Sequence, residues 1–158
     1  MSEWGNSDDT AALTLTLDKA DQNLVGWQYW AYKTWADPTT GGGGNATGKQ
    51  GMFADDADVS TVKLPKLGVL ERTYPMATAG EPLQLSFNAD TGEFHYRYTA
   101  RKAAAPTEIY VPVDLHYPNG YTVEVSGANV TSPPNARKLV LENSSCNAEV
   151  DVVLTALP

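Results

Sequence analysis

Two kinds of residue in this sequence could do chemistry: a carboxylate before a Trp-Gly pair, and a run of tryptophans. Glu3 stands in Ser2-Glu3-Trp4-Gly5 at the start of the chain. A Glu followed by Gly, a polar loop and a helix start fits the C-terminal end of a barrel strand, where α/β barrel enzymes hold their catalytic side chains. The same residue also fits an ordinary solvated surface charge. Trp27, Trp30 and Trp35 follow within a short stretch. Aromatic side chains in such a segment bury large areas. Trp27 and Tyr29 alternate with Gln28 and Trp30, so two faces are involved, and the pattern leaves open which one points inward.

Other candidates read as decoys. Gly43-Gly44-Asn45-Ala46-Thr47-Gly48-Lys49-Gln50 approaches a phosphate-binding loop, but Gln50 replaces the hydroxyl residue that would hold magnesium. No helix start obviously follows to add its dipole, and the glycines read as a flexible linker. His95 and His116 are the only histidines, and Cys146 is the only cysteine. Neither histidine has metal-ligand spacing to a second His or Cys, so no metal site is expected. No nucleophile elbow supports a serine triad. His95 falls on the polar face of a strand, and His116 reads as a turn residue bonding locally. Asp55, Asp56 and Asp58 read as solubilising loop acids. Three Asn-X-Ser/Thr triplets, at Asn45, Asn129 and Asn143, are short patterns with little weight in an Asn- and Thr-rich chain.

The bulk numbers narrow the field. The chain has 158 residues, 42 % of them hydrophobic, so a packed core is expected. A net charge of −8 argues against nucleic acid, which demands clustered Lys and Arg. No apolar run approaches the roughly 20 residues of a membrane span. No leader pattern follows Met1, which leaves two expectations: a protein that stays inside the cell, or a chain that is not a complete gene product.

The elements that must position these residues fall into two parts. In the first, Ser7 and Asp8 offer helix N-caps with acids in the first turn. Leu13, Leu17, Ala20 and Leu24 then recur at helical spacing through about Asn23. Residues 24–30 read as an aromatic-rich strand. This strand-helix-strand order predicts a parallel βαβ unit. Residues 36–60 form a long loop, and 61–72 predict a helix with Leu64, Leu67 and Leu70 on one face, disturbed early by Pro65. After Tyr74-Pro75 the period becomes two. Leu83, Leu85 and Phe87 alternate with polar residues, as do Phe94, Tyr96 and Tyr98, then Tyr121, Val123 and Val125, Leu139 and Leu141, and Val150, Val152 and Leu154. Asp90-Thr91-Gly92, Pro118-Asn119-Gly120 and Pro133-Pro134 separate them, which predicts an antiparallel sandwich. The expected domains are 1–75 and 76–158.

The order of several segments resembles a known family. Ser2-Glu3-Trp4-Gly5, then Leu24-Val25-Gly26-Trp27-Gln28-Tyr29-Trp30-Ala31-Tyr32, then Asp37-Pro38-Thr39-Thr40 look like the end of the barrel of endoglycoceramidase-type family 5 glycoside hydrolases. Pro106-Thr107-Glu108-Ile109-Tyr110-Val111-Pro112, His116-Tyr117-Pro118-Asn119-Gly120-Tyr121 and Val125-Ser126-Gly127 are similar to that family's C-terminal domain. The resemblance spans nearly the whole chain. The family more often has Thr or Gly before the Glu and Phe after it; Trp4 keeps an aromatic.

The resemblance implies a fold and a chemistry. The fold is an α/β barrel remnant, the last strands and helices of a (β/α)₈ barrel, followed by an all-β antiparallel sandwich. The chemistry is retaining hydrolysis of a β-glycosidic bond in a glycosphingolipid, glucosylceramide or steryl glucoside, with no cofactor. Glu3, after strand seven, becomes the nucleophile. Trp30, ending strand eight, becomes a sugar platform, against the alternative of packing between barrel and sandwich. Trp27 and Trp35 join it as substrate-binding candidates, with Trp35 and Tyr32 at a rim that could meet a lipid tail or a neighbouring loop. A retaining glycosidase needs two carboxyl groups about 5–5.5 Å apart. The family's acid/base Glu belongs to strand four, in an Asn-Glu pair that this sequence lacks. The expected partners are therefore a glycolipid substrate in the intact enzyme, the N-terminal barrel half, and possible contact with a membrane surface. The parent enzyme would be secreted, vacuolar or cytoplasmic. Two strands cannot close a barrel, so Trp27, Tyr29 and Trp30 are expected to be partly exposed. The alternative is a non-catalytic β-sandwich module that binds carbohydrate or lipid surfaces, or is purely structural.

Overall fold

The computed structural model describes residues 1, 4–5, 7–34, 51–102 and 105–158. The chain divides into two compact units, 1–20 with 25–71, and 21–24 with 72–158. The division falls at Glu71/Arg72, just before the change of hydrophobic period. No helix among the described residues is long and apolar enough to cross a membrane.

The first unit is a small βαβ arrangement. Strand β1 (Trp4–Gly5) is followed by helix α1 (Thr10–Gln22) and strand β2 (Tyr29–Trp30), which runs parallel to β1. The cap of α1 differs from the sequence expectation. Asp9, not Ser7 or Asp8, accepts from Ala11 N at 3.0 Å and Ala12 N at 3.2 Å, while Ser7 Oγ accepts from Asp9 N. Leu24 ends the helix in the left-handed region, at φ 54°. Strand β2 is consequently shorter than 24–30. Leu24 and Val25 donate their amides to Asp21 and Ala20 carbonyls at the helix end, and β1 offers only two residues to pair with.

Beyond the loop, Phe53 bridges Val62, and a 3₁₀ turn at Val59–Thr61 precedes helix α2 (Leu64–Leu70). Pro65 lies in the first turn of α2, where its missing N–H costs nothing, so it starts the helix rather than disturbing it. The buried face of α2 is Lys66 and Val69, whereas Leu64 is exposed. Of the expected Leu64-Leu67-Leu70 stripe, Leu70 packs against Leu13, Leu17 and Val69 and Leu67 is half-buried, while only Leu64 points away.

The second unit is the expected antiparallel sandwich. One sheet has the order β4-β5-β10-β7, from Gly80–Phe87, Phe94–Ala100, Glu149–Ala156 and Tyr121–Ser126. The other has the order β3-β6-β9-β8, from Tyr74–Ala77, Thr107–Tyr110, Lys138–Asn143 and Ala128–Val130. Alternate residues of β5, β6, β9 and β10 close the core, with Phe94, Tyr96, Tyr98, Ile109, Leu139, Leu141, Val150, Val152 and Leu154 almost wholly buried. Buried tyrosines need partners for their hydroxyls. Tyr96 hydrogen-bonds with Thr78 at 2.6 Å, Tyr117 with Thr73 at 2.8 Å, and Tyr98 donates to Asn143 Oδ1 at 2.8 Å. Leu83 departs from its expected inward place. A bulge between Pro82 and Gln84 shifts the register of β4 and leaves Leu83 exposed. Helix α3 (Val113–His116) ends at His116, whose ring lies edge-on to Phe87 at 5.0 Å.

Candidate functional site

Among the described residues, Trp27 and Trp30 belong to the first unit, where β1 and β2 lie side by side. Trp4 pairs with Tyr29 and Gly5 with Trp30. Gly5 sits at φ +134°, and a Cβ there would fall 2.6 Å from both Trp30 O and Tyr29 Cε2. Glycine is therefore the residue that lets the two strands approach. Beneath them, Trp4 meets Trp27 edge-on at 5.6 Å and Tyr29 edge-on at 5.7 Å. All three rings pack against Leu13, Leu17 and Val69. This cluster anchors the strand pair on the inner faces of α1 and α2.

The tryptophans separate by position. Trp27 is half-buried in that cluster, while Trp30 is 44 % exposed. Trp30 lines an open cleft of about 650 Å³ with Tyr29, Ala31, Tyr32 and Lys33. The Trp30-Ala31 peptide bond is cis. Glu3, Trp35, the Asp37-Pro38-Thr39-Thr40 segment and the phosphate-loop decoy at 43–50 lie outside the described residues.

The acids of the following segment hold its turns together. Asp56 Oδ2 accepts from both Thr34 N and Thr34 Oγ1 at 2.8 Å. Asp55 accepts from Ala57 N, and Asp58 caps the 3₁₀ turn by accepting from Ser60 N at 2.8 Å. The hydrogen bonds from Ser60 hold the Asp58 carboxyl below its usual range. These side chains replace backbone partners in turns, a role added to that of loop acids, since Asp55 and Asp58 are exposed. Tyr32 meets Phe53 edge-on at 5.1 Å, and Lys33 Nζ lies 5.3 Å from the Phe53 ring centre.

The sequence reading missed the charged cluster behind the strands. Lys66, only 2 % exposed, reaches Asp8 and donates to Gly51 O at 3.2 Å. Lys63 Nζ also donates to Asp8, at 3.1 and 3.2 Å. Nothing in the pattern of 61–72 marks a lysine as the inward residue. Partial burial pushes the Asp8 carboxyl up, but hydrogen bonds and charge from the two lysines outweigh it, and the group titrates below 3.8. A depressed carboxyl stabilises the fold fully above its unfolded value, and that stability is lost as the pH falls through the folded value. The first unit should therefore lose stability on acidification below pH 3.8, and Asp8→Asn should flatten that limb. Tryptophan fluorescence during acid unfolding checks both.

His95 lies on the outer face of the sandwich and donates from Nε2 to Asp151 Oδ1 at 2.9 Å, with Gln84 at 3.4 Å from its other nitrogen. Among the described residues no group of three or more His, Cys, Asp or Glu gathers as a metal site would require.

Residues 72–154 match the glycoside hydrolase family 5 C-terminal domain. That is just over half of the chain. The chain belongs to this family. It is 45 % identical over 141 residues to Endoglycoceramidase I of Rhodococcus hoagii (strain 103S), covering 87 % of this chain and 23 % of that protein. It is 27 % identical over 152 residues to Endoglycoceramidase of Cyanea nozakii, covering 93 % and 28 %. The chain thus spans about a quarter of the length of the curated relatives it matches. The fold matches endo-glycoceramidase II from Rhodococcus sp., solved in a ganglioside GM3 complex, with a TM-score of 0.71, 22 % identity, and coverage of 99 % of this chain and 31 % of that one. Cryptococcus neoformans sterylglucosidase 1 matches with a TM-score of 0.70 and 17 % identity, covering 93 % and 24 %. The family 5 domain begins at Arg72, the residue where the second compact unit resumes.

Proposed function

We propose that this chain supplies the nucleophile and C-terminal domain of a retaining β-glycosidase acting on glycolipids. The observation that supports this most is the parallel pairing of Trp4-Gly5 with Tyr29-Trp30, which puts the residue following Glu3 in sequence beside the strand that ends in an exposed tryptophan. Glu3 attacks the anomeric carbon while the acid/base carboxyl protonates the departing glycosidic oxygen, so the lipid leaves as the alcohol; water, deprotonated by the same acid/base group, then hydrolyses the glycosyl-enzyme. Trp30 offers its face to the pyranose, Trp35 follows it five residues on in sequence, and Trp27 backs Trp4 from below. The acid/base carboxyl is supplied from outside these 158 residues. The names of the relatives, endoglycoceramidase and sterylglucosidase, support a glycolipid substrate.

The test has two arms. The purified chain, incubated with glucosylceramide, should release neither sugar nor ceramide. Joined with a polypeptide bearing the barrel half and its acid/base, it should turn over. An activated 2-deoxy-2-fluoro-β-glycoside should then leave a covalent sugar on Glu3, read by peptide mass mapping. Turnover by the chain alone, or a label on another residue, would sink the reading.

One observation favours the alternative of a surface-binding sandwich. Tyr74 and Tyr110 stand side by side on β3 and β6 with ring centres 5.5 Å apart, and Tyr74 is 46 % exposed. Retention on immobilised glycans or liposomes that disappears in Tyr74→Ala would support that module.

A further inference from the structure

A buried lysine with no part in the proposed chemistry needs a reason. Lys66 is 2 % exposed on α2, at a position where an apolar residue would complete the helix face at no desolvation cost. Its contacts come from three separate segments. Its ammonium reaches Asp8 in the connection from β1 to α1. It donates to Gly51 O, just before the bridge at Phe53. It also lies 5.5 Å from the centre of the Tyr29 ring on β2. The same Tyr29 ring is the wall against which Gly5 packs. One side chain thus touches the connection leaving β1 and the ring that sets how closely β1 approaches β2.

We propose that Lys66 is a positioning residue that fixes the register of β1 on β2, by tying Asp8 and Tyr29 to one ammonium group. The proposal takes its significance from Glu3 as nucleophile, since Glu3 immediately precedes β1, but its test reads the strand pair and not turnover. A failure here is therefore distinguishable from a failure of the catalytic reading.

Energetics separate positioning from stability. Ion pairs in protein interiors are weak contributors to net stability and serve best as devices that select one arrangement. Removing Lys66 leaves no stranded buried charge, because Asp8 is 46 % exposed on its side chain and keeps Lys63, and the Gly51 carbonyl loses one long hydrogen bond of 3.2 Å. Met, of similar length and apolar, fills the site. Global stability should change little while the strand pair loosens.

The experiment is proton NMR of the full chain. In the parent, the α-protons of Gly5 should be displaced from their random-coil position by the Tyr29 ring, and helix α1 amides at Leu13 and Leu17 should be protected from exchange. In Lys66→Met, the Gly5 shift should collapse toward its random-coil position while α1 protection and the urea midpoint stay within error. Lys66→Arg, which keeps the cation, should restore most of the shift. Asp8→Asn, which leaves the ammonium and ring in place, should lose about half of it. An unchanged Gly5 shift in Lys66→Met would overturn the proposal. So would loss of α1 protection together with the shift, since Lys66 would then hold up the whole unit rather than the register.

Discussion

Glu3→Gln, in an enzyme assembled from this chain and the barrel half, should lower turnover of a β-glycolipid by roughly 10⁴-fold or more, the scale set by loss of a covalent nucleophile. The amide is isosteric but cannot form the glycosyl ester, so KM should move far less than kcat. Glu3→Ala gives the sharper reading. The vacated space admits azide, which attacks the anomeric carbon from the nucleophile's face and yields a glycosyl azide of inverted configuration. That product needs only an activated substrate whose leaving group departs without protonation. Recovery of turnover with azide, and the α-configured product by NMR, would place the side chain on the attacking face. A surface carboxylate predicts no loss from either change. A Glu3→Gln variant retaining a tenth of parental activity would end the assignment.

Much of the scaffold for that test was legible in the residues, for reasons that differ between the two units. In the sandwich, a period of two fixes which side chain faces the core, because consecutive residues of a strand point to opposite sides. Phe94, Tyr96 and Tyr98 read correctly as one buried row, and so did Val150, Val152 and Leu154. Leu83 did not, because a bulge at Pro82–Gln84 inverts the local register without leaving a mark in the hydrophobic pattern. In the first unit the parallel strand-helix-strand order was readable from Leu13, Leu17 and the aromatic run, and Tyr29–Trp30 indeed pairs with Trp4–Gly5. The extent of β2 was not readable, since Leu24 and Val25 are strand-forming types drawn into closing a helix end.

What escaped the sequence was polar. Lys66, Asp56 and the Asp21–Arg72 pair owe their places to partners 15 to 58 residues away along the chain, and no periodicity encodes a hydrogen bond of that span. Charged residues read as solvated faces unless a partner is visible, and here the partners become visible only after folding. Gly5 is an intermediate case. It was legible as part of a strand-end motif, but its reason is the 2.6 Å approach of Trp30 O and Tyr29 Cε2 to the space a Cβ would fill.

Arg72→Met should destabilise the sandwich by about 3–5 kcal/mol, the usual cost of stranding one member of a buried ion pair. Arg72 is 3 % exposed and Asp21 8 % exposed, both within the second unit. Arg72 donates from Nη2 to Asp21 Oδ2 at 2.8 Å and from Nε to the same oxygen at 3.2 Å, donates again to Phe87 O at 2.8 Å, and lies 5.0 Å from the Phe87 ring centre. Losing the guanidinium leaves the Asp21 carboxylate and the Phe87 carbonyl buried with fewer donors, and that debt exceeds whatever the methionine gains in apolar contact. With a urea slope of about 2 kcal/mol per molar, the midpoint should fall by about 2 M. All four tryptophans precede residue 36, so the transition is best followed by near-ultraviolet tyrosine circular dichroism and by exchange of the Phe94–Ala100 amides. The double variant Asp21→Leu with Arg72→Met decides the cause. Removing both charges together should recover a large part of the loss, because the single-variant cost is mostly that of an unpaired buried charge. Additive losses in the double variant would instead mean that each side chain contributes separately through packing.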